Sequence, residues 1–417
     1  MPERDTPKLE PSKIAKKREA MRATVLAAAA VQMNQRGAAS LDLKALGQAV
    51  DLSRNSLYHY FKNRRDLAFR CYLQAAHYLQ EDLTAALNSD ACATAQLQLF
   101  LTLALVKRRH ETAVLSDLHA LNPDQRNQVL AVQQDNLAML NEFFNAGVTA
   151  GEFRPHNPEV AAQSLLGIMS WARLWFRWTG RYRSGTSRFL AKTADGIADS
   201  FLFGMAAHRD YVDPEPLKLQ SVTTKDFDLF DSQHVSEEKR LQLIGAASRV
   251  FNRKGIAATS IDEIAAEVGA TKGAIYHYFD DKEQLLDACY ERAFDLYELF
   301  NRAGEARGEG SLLAVATPLH LNCQAQASRY PPLILQAGIG ALPKHIADRA
   351  AASSRRLHRT HRAAIRRGEC REGGALMIEL SAGSFFWVQR WLADNPHNSM
   401  EHLADDVCAI VINGIAA

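Results

Sequence analysis

The chain is 417 residues long, 47% hydrophobic and 23% charged, which supplies apolar side chains for more than one core. No run of roughly 18 apolar residues is present to cross a bilayer, Met1 to Arg22 is polar, and the six cysteines stand apart without CxxC or Cys/His clusters; we expect a soluble, cytoplasmic protein with reduced thiols, calling for neither metal nor other cofactor. The formal net charge of +2 is unevenly placed, residues 1–212 being net +6 and residues 213–417 net −4.

From the N-terminus, alanine- and leucine-rich sequence with apolar residues recurring at three and four predicts a long helix that stops at Gly37. Asp42 is placed to cap a short helix bearing Leu43, Leu46 and Val50. The turn Val50-Asp51-Leu52-Ser53 needs a residue near positive φ, a role that falls to Asp51, and Ser53 then caps a third helix, Arg54 to Tyr60. Short helix, tight turn and short capped helix make a helix-turn-helix. The third helix opens with Arg54, Asn55 and Ser56, a cation and small polar residues suited to base edges. Leu57 and Phe61 would face inward, leaving Tyr58 and Tyr60 to donate to phosphates, with Arg64 a further cation at the next helix start.

Residues 71–210 read as a helical body, including a tryptophan-bearing helix, Pro158 to Trp178, and a last helix, Thr186 to Ala207. Residues 211–235, with Asp213-Pro214-Glu215-Pro216 and an acidic stretch, read as a flexible linker. The pattern then starts again. Gly255 stops a helix, Ser260 and Glu263 form a capping box, and Val268-Gly269-Ala270-Thr271 turns into a helix from Lys272 to Tyr278. A body over 289–417 follows, with helices at Leu376 to Leu392 and Ser399 to Ile415.

The recurrence is a duplication. Tyr58-His59-Tyr60-Phe61 returns as Tyr276-His277-Tyr278-Phe279 at an offset of 218, Gly151-Glu152-Phe153-Arg154 as Gly368-Glu369-Cys370-Arg371 at 217, and Trp171/Trp175 as Trp387/Trp391 at 216. The heads differ in charge: residues 13–70 are net +8, residues 236–288 net −2. Phosphate neutralisation dominates affinity for DNA, so the first head should bind more strongly and the operator should be asymmetric.

The second head, with Gly255, Thr259-Ser260-Ile261, Ile264-Ala265, Gly269, Gly273, Tyr276, Phe279, Lys282 and Leu285, resembles the TetR family of transcriptional regulators. The first head departs from that pattern at Leu41, Gly47, Asp51, Asn55 and Arg64. The resemblance implies an all-α protein of two TetR-like units: heads at 13–70 and 236–288, linker at 211–235, and ligand-binding and dimerisation bodies at 71–210 and 289–417. It implies that Ser53, Thr271, Tyr58, Tyr276, Tyr60, Tyr278, Arg64 and Lys282 contact phosphates, and that Arg54, Asn55, Lys272 and Gly273 face bases. Thr259, His59 and His277 join the candidate DNA-binding set.

Each tryptophan pair is spaced i, i+4 and shares a helix face; Trp171, Trp175, Trp387 and Trp391 serve either interface or core packing or contact with a small-molecule effector. The run Arg355, Arg356, Arg359, Arg362, Arg366 and Arg367 is either a solvated face or an attractor of anions, and His358 and His361 lack an obvious third metal ligand. The expected function is a sequence-specific, ligand-responsive repressor on a pseudo-palindromic operator in double-stranded DNA, working as an intramolecular pseudo-dimer or a homodimer of whole chains. The alternatives are an architectural DNA-binding protein without effector or a helical enzyme; the sequence has no GxSxG, phosphate-cradling loop or paired-carboxylate motif to support the latter.

Overall fold

The computed structural model describes residues 13–107, 111–179, 187–223, 232–335, 342–390 and 402–417. In the first unit the helices are α1 (Lys13–Arg36), α2 (Leu43–Ala49), α3 (Arg54–Leu57), α4 (Arg64–Leu87), α5 (Ala93–Thr102), α6 (Pro123–Thr149), α7 (Pro158–Trp178) and α8 (Ser187–Phe203). After α9 (Leu219–Thr223), the second unit has α10 (Ser232–Lys254), α11 (Ile261–Glu267), α12 (Lys272–Tyr276), α13 (Lys282–Ala306), α14 (Leu312–Ala327), α15 (Lys344–Arg366), α16 (Ala375–Leu380), α17 (Gly383–Phe386) and α18 (Leu403–Cys408). Among the described residues there is no β-strand, only two isolated bridges.

Each head closes over its own small core, and the two cores match. Leu26, Met33, Leu46, Leu57, Phe61 and Leu67 fill the first; Ile244, Phe251, Ile264, Ile275, Phe279 and Leu285 occupy the corresponding positions in the second. Burying each such side chain stabilises by roughly 1.5–3 kcal/mol, which is why α2 and α3, too short to persist alone, hold their shape.

The bodies share one core. Leu165, Ile168 and Phe201 of α7 and α8 are buried together with Leu380, Val388, Val407 and Ile410 of the second unit. The pairing is reciprocal, as a two-fold relation requires. The Arg154 N–H donates to the Ile415 carbonyl (2.8 Å) and the Arg371 N–H to that of Met205 (2.9 Å); Ala417 N–H donates to Glu152 O (2.9 Å) and Ala207 N–H to Glu369 O (2.9 Å). The bridges Phe153–Ala416 and Ala206–Cys370 are the same contact made twice. On this axis Gly204 (φ 67°) and Gly414 (φ 71°) bring the two backbones so close that a Cβ on either would overlap the other chain segment.

Two features differ from the sequence expectation. The stretch 211–223 is no loose tether: Asp213 pairs with the Arg307 guanidinium at 2.6 Å, and Leu217, Leu219 and Val222 pack on Phe300 and Leu321. The apolar residues spaced through this Pro-containing segment give it a surface to dock, which its lack of helical periodicity conceals. The helix expected over Leu376 to Leu392 is broken into α16 and α17 near Ser381, and its part from 391 lies outside the described residues.

Candidate nucleic-acid interface and seam cavity

The turns of both heads are built by local chemistry. Asp51 adopts φ 54°, alone among the described non-glycine residues in this region, and Gly269 adopts φ 65° at the equivalent place. Asp42 accepts from Lys44 and Ala45 N–H, Ser53 from Ser56 N–H and Thr271 from Ala274 N–H; Ser260 and Glu263 complete a capping box. Glu263 is held at about 2, first by the hydrogen bond from Lys254 and then by the Ser260 backbone.

These caps leave one face of each head open. In the first, Ser53, Arg54, Asn55, Tyr58, His59 and Arg64 are exposed and Tyr60 is half-buried. In the second, Thr271, Lys272, Gly273, Tyr276 and His277 are exposed and Tyr278 is half-buried. Tyr58 and Tyr276 are among the few large exposed apolar side chains, at 42% and 46%. Each lies beside a cation: Arg54 Cζ sits 6.0 Å from the Tyr58 ring centre, and Lys272 Nζ 6.0 Å from that of Tyr276. Arg18 reaches the same face, donating to the His59 carbonyl at 3.2 Å.

Two residues stand apart. Thr259 is buried, its hydroxyl donating to Gly255 O at 2.8 Å. The Lys282 ammonium donates to Ile256 O (2.5 Å) and Thr259 O (2.7 Å), tying down the turn after α10 rather than facing outward as Arg64 does. The heads also differ at Lys272, which pairs with Asp262 at 3.3 Å.

A cavity of about 170 Å³ opens where the bodies meet. The first unit contributes Trp171, Trp175 and Met205; the second contributes Phe294, Tyr297, Leu319 and Phe385 among others. The two indoles are stacked, centroids 5.9 Å apart at 15°. Trp387 is instead buried in packing, its indole N–H donating to Ser384 O at 2.6 Å, and Trp391 lies outside the described residues. On α15, Arg356 pairs with Glu305, whereas Arg355, Arg359, Arg362 and Arg366 are exposed; just past its end the exposed Arg367 pairs with Glu369.

Sequence reasoning passed over the residues that join heads to bodies. Asn34 donates to Thr112 O (3.0 Å) and accepts from Val114 N–H (2.8 Å); Asn252 donates to Pro332 O (2.9 Å) and accepts from Ile334 N–H (2.9 Å). The available signal was a polar residue on an apolar helix face, repeated at the offset of 218. Glu152 and Glu369 cap α5 and α14 through Ala93 and Leu312 N–H, each at 2.8 Å. Arg390, half-buried, crosses from the second unit to donate to Leu115 O (3.0 Å) and Ser116 O of the first; burial pulls its guanidinium below the ordinary arginine range.

The family model described as bacterial regulatory proteins, tetR family, matches residues 25–71 and again 243–289. A second model, the tetracyclin repressor-like C-terminal domain, matches residues 94–186. The chain is similar to the HTH-type transcriptional regulator TtgR of Pseudomonas putida, 36% identical over 74 residues, covering 18% of this chain and 35% of that protein. It is also similar to the regulator SrpR of Pseudomonas putida, 26% identical over 144 residues, covering 32% and 64%. The matches thus span about a third to two thirds of these relatives. Among solved structures, AibR in complex with isovaleryl coenzyme A and operator DNA shows 24% identity, covering 43% of this chain and 96% of that one, with a TM-score of 0.35. The chain belongs to the TetR family of bacterial regulatory proteins, in a tandem form that carries two such units in one polypeptide.

Proposed function

We propose that the chain is a ligand-responsive transcriptional repressor of the cytoplasm that binds its operator as an intramolecular pseudo-dimer. The observation that carries this reading is the reciprocal ladder between the bodies: Arg154 to Ile415 and Arg371 to Met205. It supports one chain doing what two subunits do elsewhere, with heads at 13–70 and 236–288 presented by bodies at 71–210 and 289–417. Each head meets one half of a pseudo-palindromic site, half-sites being roughly 34 Å apart along B-DNA.

In this reading Arg54, Asn55, Lys272 and Gly273 face bases, and Ser53, Tyr58, Tyr60, Thr271, Tyr276 and Tyr278 hold phosphates. The positive first head supplies most of the electrostatic affinity, so the two half-sites are unequal. An effector in the seam cavity favours another arrangement of the heads and weakens DNA binding by a coupling of about 1–3 kcal/mol. Asn252 supports such coupling, since Ile334 both donates its backbone N–H to the Asn252 side chain and lines the cavity.

The test is a footprint of the full chain on DNA flanking its own gene, repeated at several salt concentrations. We expect two adjacent unequal half-sites protected by one chain. Alanine at Arg54, Tyr58, Lys272 and Tyr276 together should abolish protection; unchanged affinity would end this reading.

A further inference from the structure

The seam cavity is apolar and aromatic over most of its wall, yet Glu379 opens onto it. Glu379 is the one acidic or basic side chain among the described lining residues. Its side chain is only 9% exposed. Its Oε2 accepts from the Trp175 indole N–H at 3.3 Å, and the residue's carbonyl accepts from the Trp171 indole N–H at 3.1 Å. His358, behind the wall on α15, stands 3.3 Å from Oε1.

A carboxylate in a weakly screening, apolar pocket attracts positive charge and repels negative charge far more than it would in water. The stacked indoles add a second preference of the same sign, because their faces carry the negative part of the ring quadrupole. A neutral ligand gains only from burial, and an anion meets repulsion. Volume limits size: a cavity of about 150 Å³ admits benzene, so about 170 Å³ suits a small flat ring system. At the offset of 216 that relates Trp171 to Trp387, the counterpart of Glu379 is Gln163, so the first unit lacks the charge.

We propose that the seam cavity binds one flat, lipophilic aromatic cation per chain, with Glu379 as its counter-ion and Trp171 and Trp175 as its aromatic platform. The ligand is then held by both units at once. This identification rests on the reading of the chain as ligand-responsive.

The experiment is calorimetric titration of the full chain with three probes of one shape: N-methylquinolinium, neutral 1-methylnaphthalene and anionic 1-naphthoate. N-Methylquinolinium should bind at one per chain, at least about tenfold tighter than the neutral probe, with the anion weakest. Glu379→Gln should reduce the cation to the affinity of the neutral probe and leave the latter unchanged. Equal or tighter binding of the neutral or anionic probe, two cations per chain, or no binding by any probe overturns the proposal. Should Glu379→Gln not fold, the ranking on the unaltered chain decides. Operator release is measured separately: cation binding without loss of DNA affinity keeps the site and defeats ligand responsiveness, whereas release by the neutral probe with no preference for charge does the opposite.

Discussion

His361 shows how one side chain can set a pH limit. It is 1% exposed, and burial, with the neighbouring His358, pushes its ring down to about 4. The unfolded chain therefore takes up the proton first, near 6.5, and the folded chain only near 4. Between those values the unfolded state holds more protons, so stability falls as pH falls through this window and is unaffected above it. We expect His361→Gln to remove a loss on the order of 3 kcal/mol, seen as a flatter urea-midpoint profile from pH 6.5 to 4; parallel profiles for both proteins would refute this. Asn252→Ala should cost about 1–3 kcal/mol by stranding the buried Ile334 N–H, while the Pro332 carbonyl keeps its hydrogen bond from Gln326. Hydrogen exchange should quicken in the second head first, and uniform quickening across both heads would contradict that assignment.

At the scale of elements, the helix-turn-helix was legible because its causes are local. Asp42, Ser53, Ser260 and Thr271 cap helices through N–H groups two or three residues away, and the left-handed residue falls at Asp51 and Gly269 as the turn demands. What the sequence concealed depends on partners distant along the chain. Lys282 reads as a phosphate cation until the carbonyls of Ile256 and Thr259 are seen above it, and the clasp of Asn34 on Thr112 spans 78 residues. The break in the α16–α17 region and the docking of 211–223 belong to the same class, being decided by packing rather than by periodicity. The recognition surfaces themselves yield a prediction. Asp262 beside Lys272 corresponds, at the offset of 218, to Lys44 in the first head. As an exposed pair, Lys272–Asp262 adds little to folding, but it removes a charge from the face proposed to meet DNA. Asp262→Asn should therefore tighten operator binding and steepen its salt dependence by up to about one ion, measured by fluorescence anisotropy between 50 and 200 mM salt on the order used for such proteins. An unchanged slope would show that the second head stays clear of the phosphates.

At the scale of the molecule, the shared core makes the two units one cooperative body. The full chain should sediment as a single 46.3 kDa species and keep its DNA affinity on dilution far below the range in which two-chain regulators separate. Concentration-dependent mass or affinity would point instead to pairing of whole chains. Gly204→Leu, which drives a side chain into the Ile412–Gly414 backbone, should lower thermal stability sharply without altering the isolated chemistry of either recognition face. In a regulator made of two copies of one gene product, every mutation lands twice and both halves change together. The tandem chain escapes that constraint: Arg390 has Leu174 as its counterpart, Glu379 has Gln163, and Asp262 has Lys44. Each half is free to drift toward its own task while the other preserves the original one, so selection can tune one recognition face or one side of the seam without touching its twin.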